Sequence, residues 1–380
     1  MRKVLYITGT RADYGLMRST LKAIDSRDDL ELIVAVTGMH LMPEFGGTAD
    51  EVAKDGFRAL HVPAKFETDT RAAGPRFLGT FLQRLTDVVE RERPDELLLL
   101  GDRAEMLAGA IVGSYMSIPT FHVHGGDVSS TVDEHVRHAI TKLSHFHLAA
   151  TELSAERIRR MGEEDWRVRV VGSPSLDGIG DTRPLNADER GRYGLFPGQE
   201  YLVLLQHPVS EEAGKDVEHL AGTLSALESD GRQTFVIYPN ADAGGKGMIK
   251  LIEERCHPPR FISFQSLPRD EFLRLLSGAS ALIGNSSSGL IEASLLGTPF
   301  INVGERQRGR ERGGNVLDVG YGTDEVLRGL AAIKDPDFRR RSREMKSPYG
   351  DGRTGERIAE VLAMSRLGPD VTQKRLSYDI

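Results

Sequence analysis

One cysteine, Cys256, and one tryptophan, Trp166, stand in 380 residues, and aromatic residues make up only 6%. A lone thiol cannot form an internal disulfide, so no disulfide framework holds this chain, and a reducing cytoplasm is its expected location. Long hydrophobic runs are missing too. After Arg2 and Lys3 the N-terminus carries only Val4 to Ile7, too short for a signal-peptide core or a membrane span. Basic charge is not in excess: Lys+Arg 49 against Asp+Glu 56 leaves −7, and the densest basic block is Arg339-Arg340-Arg341. Nonspecific nucleic-acid binding is thereby disfavoured. What is present, 39% hydrophobic and 28% charged residues, describes a globular chain long enough to divide into two domains.

Short apolar runs alternate with stretches of helical period almost from end to end. Strands are expected at 4–8, 32–37, 97–100, 120–123, 168–171, 201–205, 235–238, 261–264, 281–283 and 300–303. Helices are expected at 14–24, 77–92, 104–115, 134–143, 217–229, 246–255, 271–276, 288–296 and 325–333. The alternation is the βαβ signature of parallel sheets with helices on both faces. The stretch 178–198, rich in Gly, Pro and Asp, separates two complete sets of elements. It places a first domain at 1–178, a second at 179–365, and a weakly ordered tail beyond. Gly9-Thr10-Arg11, Gly101-Asp102-Arg103, His124-Gly125-Gly126, Gln206-His207-Pro208, Pro239-Asn240 and Gly284-Asn285-Ser286 each follow the carboxyl end of an expected strand. That rim is where open α/β sheets bind ligands. Two such rims face to face make an interdomain cleft.

Each motif has a functional reading and a plainer one. Ser286-Ser287-Ser288-Gly289 opens an expected helix, where hydroxyls and free N–H groups suit a diphosphate; N-capping by one serine is the alternative. Glu292, four residues beyond Ser288, then shares its helix face and can accept both hydroxyls of a ribose, or is a solvated glutamate. Gly9 to Gly15 is not the dinucleotide fingerprint, because Arg11 and Tyr14 stand where glycines are required. Arg11 suits a phosphate, or a salt bridge with Asp13. Arg306 offers a second phosphate or base contact, or belongs to a charged loop. Six histidines lie between His122 and His147, with His122 and His124 expected on one strand face, but no third-ligand spacing supports a metal. Asp102 and Asp133 each precede an expected helix, so they cap it or serve as paired acid and base.

Taken together, these motifs resemble the hydrolysing UDP-N-acetylglucosamine 2-epimerase family. The matching residues run from Gly9-Thr10-Arg11-Ala12-Asp13-Tyr14 through Gly101-Asp102-Arg103, Asp133 with Arg137-His138-Ala139-Ile140-Thr141-Lys142, and Gln206-His207-Pro208-Val209. They continue through Pro239-Asn240-Ala241-Asp242-Ala243-Gly244, Gly284 to Gly289, Arg306-Gln307 and Tyr349-Gly350-Asp351-Gly352. The resemblance implies an α/β, GT-B-like fold of two Rossmann-like doubly wound domains, with the nucleotide held mainly by the second. It matches Ser286, Ser287, Glu292 and Arg306 to nucleotide contacts and Arg11 and Arg103 to arginines of the opposite wall. It also matches Asp102 and Asp133 to catalytic carboxylates and His207 to an active-site histidine. His40, Asn240 and Asp242 are candidates for sugar contacts, with loop structure as the alternative. Where many members carry a third catalytic glutamate this chain has His124, with Asp127 three residues on, and the third acid–base group lies between those two.

The implied reaction expels UDP by breaking C1–O while a base removes the C2 proton. Water then adds to the resulting 2-acetamidoglucal as C2 is protonated from the other face, giving UDP and the free manno-configured sugar. It requires no redox cofactor and no metal, and the resemblance suggests a homodimer or homotetramer. A non-hydrolysing epimerase, a GT-B glycosyltransferase and a non-catalytic sugar-nucleotide sensor are the rival readings. The sensor is disfavoured by the retained Asp102 and Asp133.

Overall fold

A computed structural model describes residues 1–42, 48–65, 72–128, 132–209, 214–239 and 244–378, with the side chains of Val132 and Asp133 also outside the description. The chain forms two compact units, Met1–Asp177 with Gly352–Ile380, and Gly178–Asp351. The first holds a seven-stranded sheet: β1 Arg2–Thr8, β2 Leu30–Val36, β3 Arg58–His61, β4 Glu96–Leu100, β5 Thr120–Val123, β6 Phe146–Ala149 and β7 Val168–Val170. The spatial order is β3-β2-β1-β4-β5-β6-β7, and every pair is parallel.

Burial on both faces explains the apolar runs. Along β1, Val4 and Tyr6 enter one core and Leu5 and Ile7 the other. Successive side chains point to opposite faces, so a strand covered on both sides must be apolar at every position. Three strands escaped the sequence pattern, two because they lie at an edge and β6 because it is short and interrupted by His147. The edge strand β3 is half-exposed, β6 is the short Phe-His-Leu-Ala, and β13 of the second unit (Val316–Val319) is an edge strand carrying Asp318.

The C-terminal segment corrects the expected domain limits. Thr354–Met364 is a helix whose Ile358, Ala359 and Leu362 join the first unit's core beside Met17, Leu21 and Ile24 of the helix Arg11–Asp25. Asp177 secures its start by accepting from the backbone N–H groups of Thr354 at 2.7 Å and Gly355 at 2.6 Å. Sequence order assigned this segment to the second domain because chain position does not tell against which sheet a buried face packs.

The second unit is a six-stranded parallel sheet, ordered β10-β9-β8-β11-β12-β13. Its strands are β8 Tyr201–Leu205, β9 Gln233–Ile237, β10 Phe261–Phe264, β11 Ala281–Gly284, β12 Phe300–Val303 and β13. In both sheets the chain runs outward in two directions from a central strand, β1 in one and β8 in the other. The crevice beside that strand's carboxyl end is the natural ligand position. No helix among the described residues is long and apolar enough to cross a membrane.

The tail expected to be weakly ordered is instead tied to a buried charge cluster. Lys374 Nζ meets Glu163 Oε2 at 2.7 Å and donates to the carbonyls of Thr141 and Lys142 at 3.1 and 2.8 Å. Buried Arg167 donates to the Val371 carbonyl at 2.8 Å. Lys142 and the Nε2–H of His147 also reach Glu163, at 2.6 and 2.9 Å. These donors hold the Glu163 carboxyl low against the opposing effect of burial, while burial brings wholly buried His147 down to about 4. Its ordinary value is 6.5, so below that pH the unfolded chain binds a proton that the folded ring refuses. Stability should therefore fall as pH drops below 6.5, with this ring among the causes. Urea titrations at stepped pH check it: His147→Gln should flatten that slope, and an unchanged slope would remove His147 as its cause.

Candidate active site

At the carboxyl end of β1, Thr10 caps the helix Arg11–Asp25 and Asp13 closes the capping box. Asp13 accepts from Gly9 N at 3.1 Å, Thr10 N at 2.9 Å, Thr10 Oγ1 at 3.0 Å and the Thr8 hydroxyl. Burial nevertheless raises it to about 6. The salt bridge expected between Arg11 and Asp13 does not form. Arg11, 74% exposed, meets Glu51 at 3.1 Å instead, because Asp13 faces inward. His40 is wholly buried, with Nε2 3.0 Å from Thr8 Oγ1 and Nδ1 2.7 Å from Thr48 Oγ1. The Thr8 proton goes to Asp13, so Nε2 donates and Nδ1 accepts; burial lowers the ring to about 4 and keeps it neutral. Both nitrogens are thus engaged inside the loop. Beneath lies Glu105, wholly buried, with Arg103 3.2 Å from its Oε1. A Cβ at Gly9 would overlap that carboxylate, which is why the loop needs glycine there.

Asp102 follows β4 and does not cap the next helix; Arg103 holds the N-cap position of Ala104–Tyr115, without a side-chain bond. The Asp102 carboxylate is instead ion-paired with Arg137, a buried residue of the helix Val132–Leu143. Asp133 lies in the first turn of that helix, its side chain outside the described residues. His122, on β5, donates from Nε2 to the Gly101 carbonyl at 2.7 Å, since a carbonyl can only accept. Its Nδ1 lies 3.2 Å from the Thr141 hydroxyl, which donates to the Arg137 carbonyl at 3.0 Å, and burial holds the ring down to about 3.

His124 does not share a strand face with His122. It lies past the end of β5 at φ +63°, a left-handed conformation unusual for a side-chain-bearing residue. Its Nδ1 is 2.8 Å from Asp127 Oδ2 and its Nε2 3.1 Å from Ser173 Oγ, while Ser154 donates to Asp127 Oδ1 at 2.7 Å. His145 and His147 turn inward to Thr120 N and Glu163, and His138 faces Glu134 at 3.7 Å. These five histidines therefore meet separate partners rather than converging, and the sixth, His135, is exposed.

In the second unit one side chain organises the rim. Asn285, buried after β11, accepts from His207 N at 2.7 Å and donates to its carbonyl at 2.9 Å. Its own carbonyl receives Arg306 Nη1 at 3.1 Å and Gln307 Nε2 at 2.8 Å. The loops after β8, β11 and β12 are thereby joined through a single residue. The serine run departs from expectation: it forms a 3₁₀ turn, Ser287–Gly289, capped by Ser286, and the α-helix begins only at Glu292. Glu292 therefore does not share a helix face with Ser288; it is buried beside Arg269 at 3.4 Å. The turn is tight because Gly289 lies against the Phe300 ring, with no room for a side chain. Asn240 and Asp242 lie outside the described residues.

The family model described as UDP-N-acetylglucosamine 2-epimerase matches residues 22–363. The chain belongs to this family. A Legionella pneumophila relative described as UDP-N,N'-diacetylbacillosamine 2-epimerase (hydrolyzing) is 39% identical, the alignment covering 100% of both chains. A Neisseria meningitidis UDP-N-acetylglucosamine 2-epimerase is 37% identical over 86% of each. A crystal structure of UDP-GlcNAc 2-epimerase from Neisseria meningitidis bound to UDP-GlcNAc has a TM-score of 0.79 at 19% identity, covering 96% of this chain and 100% of the other. The expected GT-B-like fold of two parallel-sheet α/β domains agrees with that likeness.

Several supporting residues of this 2-epimerase family member carried no role in the sequence reading. Arg137 and Asn285 stood in the recognised motifs, but a buried arginine or asparagine has no spacing that reveals its partner. Ser154 and Ser173 had no signal at all. Asn285→Ala removes both side-chain bonds to the His207 peptide and should cost about 1–3 kcal/mol of stability. Hydrogen exchange at the His207 amide reads it; protection equal to the unsubstituted protein's would show that Asn285 does not hold this loop.

Proposed function

We propose that this 2-epimerase family member is hydrolysing, taking a UDP-2-acetamido sugar, UDP-GlcNAc or a 4-acetamido-trideoxy relative, to UDP and the free manno-configured sugar through a 2-acetamidoglucal. The observation that carries the reading is Asp102, a carboxylate at the strand rim that stands outside the N-cap position of the following helix and is held by a buried arginine. Full-length similarity to a relative described as hydrolysing supports the hydrolytic outcome.

Asp102 and Asp133 transfer protons at C2 and activate water, with His124 and Asp127 as the pair from which the third acid–base group comes. His207 is an active-site histidine whose peptide is fixed by Asn285. The uridine diphosphate is taken by Ser286, Ser287, Glu292 and Arg306, with Arg11 and Arg103 as further cationic contacts. The serine turn offers its hydroxyls to the charge that gathers on the leaving group. Asn240 and Asp242 serve the sugar, and His40 supports the Thr8–Asp13 loop from within. The enzyme works in the cytoplasm as a homo-oligomer without a redox cofactor.

Proton NMR with UDP-GlcNAc in D2O tests the reading: free N-acetylmannosamine deuterated at C2 should appear together with UDP. A UDP-linked mannosamine product would make the enzyme non-hydrolysing. If UDP binds but UDP-GlcNAc is inert, the 2,4-diacetamido-trideoxy donor should react. Asp102→Asn should lower turnover about 10²–10⁴-fold with nucleotide binding largely kept. Equal loss of binding and turnover would remove its acid–base role.

A further inference from the structure

In the first unit, two loops that carry candidate acid–base groups end on one guanidinium. Arg137 is 5% exposed, and one of its terminal nitrogens, Nη2, pairs with Asp102 Oδ2 while the other, Nη1, donates to the Asp127 backbone carbonyl at 2.9 Å. A guanidinium is planar and permanently charged, so it fixes both the charge and the direction of what it binds. We propose that Arg137 is a positioning residue of the reaction: it keeps Asp102 ionised and in one orientation, which makes Asp102 the proton acceptor of the cleavage step, and it sets the loop of Asp127. The inference rests on the hydrolysing 2-epimerase reading above.

The surroundings of Asp102 agree in sign. From the helix Val132–Leu143 it meets Arg137; beside it in the chain is Arg103, whose guanidinium leans on Glu105 at 3.2 Å. From β5 comes His122, neutral and engaged with the Gly101 carbonyl. Adjacent cations favour a carboxylate over a carboxylic acid, so Asp102 is suited to receive a proton rather than to deliver one. Pairing weakens it as a base; in return it stays charged at neutral pH and cannot rotate away from the substrate. In the step itself Asp102 takes the C2 proton, the C2–H electron pair becomes the C1=C2 bond, and the C1–O pair leaves on the diphosphate. The C2 proton of the second step then comes from another group.

The test uses full-length protein: the unsubstituted enzyme, Arg137→Met, Arg137→Lys, Asp102→Asn and the Met/Asn double variant, each checked for fold by circular dichroism and for UDP binding by calorimetry. With [4-13C]aspartate labelling, the signal missing in Asp102→Asn identifies Asp102. Its titration midpoint should rise by about 1–3 pH units in Arg137→Met and stay near the original in Arg137→Lys. The acid limb of the pH–rate profile should move with it. Turnover should drop about 10²-fold or more in Arg137→Met, recover in part in Arg137→Lys, and be no lower in the double variant than in Asp102→Asn. Given 2-acetamidoglucal directly, Asp102→Asn should still hydrate it.

An unmoved Asp102 titration in folded Arg137→Met overturns the electrostatic role. Should that variant not fold, Arg137→Lys with unchanged turnover overturns the orienting role. An Asp102→Asn enzyme that releases UDP and accumulates glucal overturns the proton-acceptor assignment. Absence of turnover by the unsubstituted enzyme on every UDP-2-acetamido sugar would sink the hydrolysing reading instead, while the carboxyl titration still decides whether Arg137 holds Asp102.

Discussion

A parallel sheet covered by helices on both faces has only its strand ends left for chemistry, and in this chain nearly everything else follows from that constraint. Leu97 to Leu100 and Leu202 to Leu204 are buried because each strand residue faces a helix on one side or the other. Polar function is thereby driven to the turns past the carboxyl ends. Helix N-termini gather at the same rim and add unpaired N–H groups. Asp102, His124 and the serine turn all occupy this position, each immediately past a strand.

The two units stabilise their rims by different means. The first uses charge: Asp102 with Arg137, Glu105 with Arg103, Asp127 with His124 and Ser154. Buried ions are expensive unless paired, so each partner also restricts where its carboxylate can point. The second centres on one neutral amide side chain. Asn285 joins three loops through four hydrogen bonds, one of them donated by the Arg306 guanidinium.

Central elements were legible because burial on both faces leaves a continuous apolar run, as in β1, β4 and β8. The edge strands β3 and β13 were not, nor was the short central β6. β3 and β13 are covered on few sides, and their mixed composition resembles loop. The serine run misled for a related reason: a serine before an apolar stretch predicts a cap, yet close packing of Gly289 against Phe300 tightens the turn and delays the helix to Glu292. Arg11 beside Asp13 looked like an ion pair because neighbours in sequence are the pairs that can be read. The capping box turned Asp13 inward and left Arg11 to Glu51.

The amino-acid sequence by itself determined the class of fold, the motifs at the strand ends and the family they resemble, because apolar period, glycine turns and polar clusters are local properties. Tertiary structure alone decided which distant groups meet: Arg137 with Asp102, Ser173 with His124, Lys374 with Glu163, and the helix Thr354–Met364 with the first sheet. Such partners lie between 35 and 211 residues apart for the charged and polar pairs. A buried charge is satisfied by whatever the packed chain brings within hydrogen-bond reach, and no local pattern encodes that choice.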